Sequence, residues 1–184
     1  MKCLAAALLF SLGTLIAAAE PVTGAPVATA PATSAAADEF VVQTWYFRWT
    51  VATNGTKSFG IEKTNKGVRA VVIGQIESLF LSPKAAHEIG DVLAQTDEYA
   101  RKLAAKKAAL TDKLEEVSET VKTAEHTIVF RIDSTYGFLV SVRSMDGGAT
   151  VASVLLDQKD ANAFSASMQK AEAMAAYIDR KVKP

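Results

Sequence analysis

The chain has 184 residues, 49% of them hydrophobic, with 20 basic and 20 acidic side chains and a formal charge of zero. Neutrality excludes bulk electrostatic capture of nucleic acid or anionic membrane. A single cysteine, Cys3, excludes disulfides, zinc-thiolate sites and iron–sulfur clusters from anything that lies after it.

Lys2, the apolar run Leu4 to Ala18 and the small residues Ala17-Ala18-Ala19 before Glu20 have the pattern of a secretory signal cleaved after residue 19. The run is about 15 residues, short of the roughly 20 that span a bilayer. The expected mature protein is therefore exported, periplasmic or secreted in a bacterial setting, with no transmembrane segment. Residues 20–38 are mostly Ala, Pro, Thr, Val and Ser, with prolines at 21, 26 and 31, and read as an extended tether. Residues 39–184, about 146 in all, suit one α+β domain.

Within that domain Phe40 to Ala52 is rich in β-branched and aromatic residues, and Asn54-Gly55 signals a hairpin into Lys57 to Lys63. Strands follow at Val68 to Ile73 and Ile76 to Leu81, with Gly74-Gln75 as a turn or bulge between them. Ser82-Pro83 starts a helix, Ser as N-cap and Pro at the first turn, and Ile89, Leu93, Thr96, Ala100 and Leu103 form its inward stripe. Leu110, Leu114, Val117 and Val121 extend the helical spacing into an excursion over 107–125, broken near Leu110 to Asp112. Its stripe folds back on its own domain, leaving a monomer or at most a weak homodimer.

The pattern then recurs, with strands at His126 to Asp133, Phe138 to Ser144 and Ala149 to Leu156, and Asp157 capping a helix with the stripe Phe164, Met168, Ala171, Ala175, Ile178 and Val182. The second cap and stripe are displaced from the first by 75 positions. A duplicated strand-strand-strand-helix unit is expected, over about 39–106 and 126–184, giving an antiparallel sheet of about seven strands with the helices on one face. In element order this resembles the plant Whirly and PUR-repeat binders of single-stranded nucleic acid. The resemblance implies architecture alone, because export and neutral charge weigh against nucleic acid as the ligand.

No phosphate loop, nucleophile elbow, dinucleotide fingerprint or metal signature is present, so no cofactor, metal ligand or catalytic residue is assigned. His87 and His126 are the only histidines. A hydrolase or metal-dependent enzyme would have to use one of them beside a carboxylate such as Glu88 or Asp91. Trp45, Phe47 and Trp49 alternate toward the helices, which places Tyr46, Arg48 and Thr50 on the other sheet face. Four of the six arginines, Arg48, Arg69, Arg131 and Arg143, lie in expected strands. Tyr46, Arg48, Arg131 and Arg143 are the candidate ligand-binding set, suited to an anionic polymer or a phosphate-bearing ligand. The reading favoured overall is a non-enzymatic exported module that binds a protein or an anionic ligand.

Overall fold

The computed structural model describes residues 46–112 and 115–183. The expected signal, tether and Trp45, together with Leu114, lie outside the described residues. Each turn chemistry read above closes a hairpin. Strand β1 (Tyr46–Asn54) returns through Gly55, whose φ of 57° suits a residue without a Cβ, into β2 (Lys57–Thr64). Strands β3 (Gly67–Ile73) and β4 (Ser78–Leu81) complete an antiparallel sheet in the order β1-β2-β3-β4. Gly74 is a turn, its N–H donating to the Glu77 carbonyl at 2.8 Å.

Ser82 caps α1 (Pro83–Leu93), its Oγ accepting from the Ala85 N–H at 3.0 Å, with Pro83 in the first turn where a missing N–H costs nothing. The helical pattern then breaks at Ala94 and Gln95, and α2 (Thr96–Ala109) follows. A second antiparallel sheet, β5-β6-β7-β8, is built from β5 (Val117–Lys122), β6 (His126–Asp133), β7 (Gly137–Asp146) and β8 (Ala149–Asp157). Asp157 caps α3 (Gln158–Met168) through a reciprocal box with Asp160, and after a break at Gln169 and Lys170 comes α4 (Ala171–Lys181).

Three expectations are corrected. The strands number eight among the described residues and form two separate four-stranded sheets, not one sheet of about seven. The helical excursion over 107–125 is absent, because α2 stops at Ala109 and Val117–Lys122 is a strand. Val117 and Val121 are four apart, an even spacing that serves period 2 as well as period 3.6, and both pack on the core from β5. Each long helix is also two helices, with breaks at 94–95 and 169–170 that again differ by 75 positions.

The core is shared between the two sheets. Phe59, Ile61, Ala70, Val72, Leu79 and Leu81 from the first meet Ile128, Phe130, Val140, Val142, Val154 and Leu156 from the second, with Ile89, Leu93, Leu103, Phe164 and Met168 from the helices between them. Burial of each large side chain contributes about 1.5–3 kcal/mol. Helices α2 and α4 cover the sheet of the opposite half. Tyr99 of α2 stacks on Phe130 of β6 at 4.1 Å, and Lys102 and Lys106 bond Glu119 of β5 at 2.6 and 3.1 Å. In return Lys63 of β2 reaches the last turn of α4, donating to the Asp179 carboxylate at 2.8 Å and its carbonyl at 3.1 Å, where a cation also meets the negative helix end. Helix α3 is tied to the β1–β2 hairpin, with Asn54 donating to Asp160 at 2.8 Å and Lys57 paired to the same carboxylate. The two sheets touch where β4 approaches β8, and Ser153 donates through its N–H and Oγ to Glu77 at 3.3 and 3.2 Å.

Candidate functional site

The face of the first sheet opposite the helices carries Tyr46 and Arg48 of β1, Glu62 of β2, Arg69 of β3 and Phe80 of β4, as the register Arg48↔Glu62↔Arg69 requires. Glu62 is 0% exposed, and a carboxylate taken so fully out of water needs compensation. Arg48 Nε donates to one of its oxygens at 2.6 Å and Arg69 Nε to the other at 2.8 Å. Arg69 also lies 3.9 Å over the Phe80 ring, and Arg48 lies 5.6 Å from the centre of the Tyr46 ring. Two of the sheet arginines are thus engaged within the protein, as clamps on a buried acid.

Arg131 and Arg143 stand on the other sheet. Arg131 pairs loosely with Glu116 at 3.7 Å, and its buried Nε has no partner among the described residues. Arg143 donates to Ser141 Oγ at 3.0 Å. On β6 and β7 their register partners are Leu139 and Thr127, four positions apart along each strand, so the two are not adjacent. The anticipated set of Tyr46, Arg48, Arg131 and Arg143 is therefore divided between two sheets.

Among the described residues, neither histidine stands beside a buried carboxylate in a cavity. His87 on α1 is half exposed, with Nδ1 2.5 Å from the Gln169 carbonyl and Nε2 3.6 Å from exposed Asp91. His126 at the start of β6 is buried, and its Nδ1 has no hydrogen-bond partner among the described residues. Desolvation holds the His126 ring below its ordinary pKa, against the opposing pull of Glu125 and Glu88. No group of three or more His, Cys, Asp and Glu side chains able to hold a metal occurs among the described residues.

A different feature stands out on the opposite side of β1. Trp49 and Val51 face α4 across a groove of about 470 Å³ whose far wall is Ala173, Met174, Tyr177 and Ile178, with Val182 and Lys170 also lining it. Seven of these eight side chains are apolar or aromatic. Tyr177 is 58% exposed and Val51 40%, so the groove opens to solvent. Trp49 packs its inner edge on the core, as the alternation expected, whereas Phe47 remains half exposed. Val51 is the extra residue of a bulge between Thr50 and Ala52, which turns it toward the groove. Lys170, at the N-terminus of α4, has no ion pair among the described residues. Sequence reasoning missed this site. The available signal was that Ala173, Met174 and Tyr177 widen the apolar surface of α4 beyond the stripe of Ala171, Ala175 and Ile178 that the core uses.

No family model matches the chain, and no curated protein matches it. Among solved structures, the chain is similar to a protein with unknown function from the DUF155 family from Prochlorococcus sp. NATL2A, at a TM-score of 0.39 and 12% identity, covering 68% of this chain and 98% of that one. The described residues form an α+β fold of two four-stranded antiparallel sheets and four helices. No helix among the described residues is long and apolar enough to cross a membrane.

Proposed function

We propose that this chain is an exported, non-enzymatic binding module that engages its partner at the groove between β1 and α4. The observation that carries the reading is the groove itself, an open apolar cleft of about 470 Å³ walled by Trp49, Val51, Met174, Tyr177 and Ile178. An exposed Tyr177 beside half-buried Trp49 and Met174 in a concavity is the usual material of a recognition surface. Binding of an anionic polymer through the sheet arginines has less support, since Glu62 already occupies Arg48 and Arg69. An enzyme built on His87 or His126 likewise lacks a carboxylate in a pocket beside either ring.

The test is capture of partners from an exported-protein fraction by the chain from Glu20 onward. Met174→Glu, placing a charge in the groove, should abolish capture, while joint replacement of Arg48, Arg131 and Arg143 by Gln should leave it intact, both variants being matched for fold by circular dichroism. The opposite pattern would transfer the function to the arginines.

We also infer that the two halves arose by duplication of one unit. The repeated order of four strands and two helices supports this, as do the caps Ser82 and Asp157 and the paired helix breaks at a shared offset. A relative with a single unit that dimerises would support the inference, and relatives in which one half keeps a different element order would count against it.

A further inference from the structure

We propose that the occupant of the groove is an extended peptide segment that adds to β1 as a further strand, lays alternate apolar side chains against α4 and places a carboxylate near Lys170. The inference rests on the binding reading above and gives that surface a partner of defined chemistry.

The first support is the backbone. β1 is the outermost strand of its sheet, hydrogen-bonded on one side to β2 and carrying no further strand among the described residues. Along the stretch of this edge beside the groove, Trp49 to Ala52, outward N–H and C=O groups lie at fixed spacing, a template that a peptide satisfies and an aliphatic molecule does not. The second outer edge, β5, carries Lys122, which has no ion pair among the described residues, beside a Glu119 held by Lys102 and Lys106, whereas the one charged side chain of β1, Arg48, is already bonded to Glu62. Charges blunt strand addition at an edge, and β1 is the edge without a free one.

The second support is dimension. From Lys170 to Val182 the wall formed by α4 runs about 18 Å, at 1.5 Å per residue. A strand of five or six residues is about 17–20 Å long. With side chains alternating, such a segment offers three to the groove and three to solvent, which suits a cleft lined on one side by Met174, Tyr177 and Ile178.

The third support is charge. Lys170 is the one charged residue lining an otherwise apolar cleft, and it sits where α4 begins, so an acidic side chain or a peptide C-terminus lying there meets both its ammonium and the positive end of the helix. A second copy of β1 is a poorer occupant. The bulge at Val51 interrupts the strand, and symmetrical pairing would bring two such interruptions into one ladder.

The test uses the labelled chain from Glu20 onward and a synthetic hexapeptide of alternating valine and threonine with an acetylated N-terminus and a free C-terminal carboxylate. Amide shifts over Trp49 to Ala52 and Lys170 to Ile178 are followed by NMR. Two isomers of the peptide are then compared, N-methylated on one or the other alternate set of amides. An added strand exchanges hydrogen bonds through one set only. One isomer should therefore bind at least tenfold more weakly and the other about as well as the parent, and Lys170→Glu should weaken the parent peptide several-fold. Equal binding of both isomers at the same residues would overturn strand addition while leaving the groove as the binding surface. If the peptide does not bind but decanoate shifts the same amides, the occupant is a small apolar molecule and the peptide proposal fails. Shifts confined to residues outside β1 and α4, or no shifts with either probe, would sink both the proposal and the reading on which it rests.

Discussion

Gly90 of α1 lies against Gln169, at the break between α3 and α4, so closely that a Cβ on Gly90 would stand 2.6 Å from the Gln169 backbone nitrogen and 2.9 Å from the Met168 carbonyl carbon. Glycine inside a helix costs up to about 1 kcal/mol relative to alanine, so Gly90→Ala would stabilise an isolated helix. Here the contacting atoms are backbone and cannot rotate away. Gly90→Ala is expected to lower stability by about 1–3 kcal/mol, as overpacking does. Urea denaturation measures it, and a variant as stable as the parent would mean that α1 and α3 slide apart freely.

Glu62→Gln leaves Arg48 and Arg69 facing each other without the anion between them. The expected loss is about 2–4 kcal/mol, toward the lower end because both arginines retain partial contact with water. Replacing all three, Arg48 and Arg69 by Met and Glu62 by Leu, removes the charges together and should recover most of the loss. Chemical denaturation of the two variants beside the parent checks both statements, and a triple variant as unstable as Glu62→Gln would contradict the clamp.

The buried ring of His126 gives a pH dependence of definite sign. Its folded pKa lies below the ordinary 6.5, so the unfolded chain takes up the proton first as pH falls. Stability from this residue is complete above about pH 6.5 and declines on acidification toward the lower folded value. Melting temperatures between pH 7.5 and 5.5 should fall, and His126→Phe should flatten that slope. The depressed carboxyls of Asp133 and Asp160 act in a separate, lower window near and below their ordinary 3.8.

Asp160 serves two structures at once, the N-terminal box of α3 and the tie to Asn54 and Lys57 of the β1–β2 hairpin. Burial pushes its carboxyl up, but the Lys57 side chain, the Asp157 N–H and Asn54 together hold it below its ordinary value. Asp160→Asn retains the shape but removes the charge facing Lys57. A loss of about 1.5–3 kcal/mol is expected at neutral pH, smaller at pH 3, below the ordinary 3.8, where protonation of the unfolded carboxyl has begun to remove the difference. An equal loss at both values would assign the effect to packing.

Local signals in the sequence carried far. Ser82-Pro83 and Asp157 mark helix starts because a cap acts on the three residues that follow it, and Asn54-Gly55 marks a turn because backbone strain is decided within four residues. The strand at Val117 was hidden by a spacing that both periods share. The number of sheets was not legible, since strand spacing says nothing about which edges pair. Nothing in the residues next to Glu62 marks it as buried, because its burial depends on side chains brought in from the neighbouring strands, Arg48 of β1 and Arg69 of β3. The groove was beyond reach for the same reason, with Trp49 and Met174 separated by most of the domain.

The exchange of helices between the halves also governs the order in which the chain can become solid. The bonds that seat the C-terminal part on the first sheet span 106 residues from Asn54 to Asp160 and 116 from Lys63 to Asp179. Closing contacts at such separations is slow compared with forming a hairpin or a helix. During synthesis the first four strands are complete long before the eleven residues of α4 exist to roof them. Phe59, Ile61 and Val72 share their core with Ile128, Phe130 and Phe164 of the second half, so apolar surface on the first four strands stays uncovered until those later segments have been made.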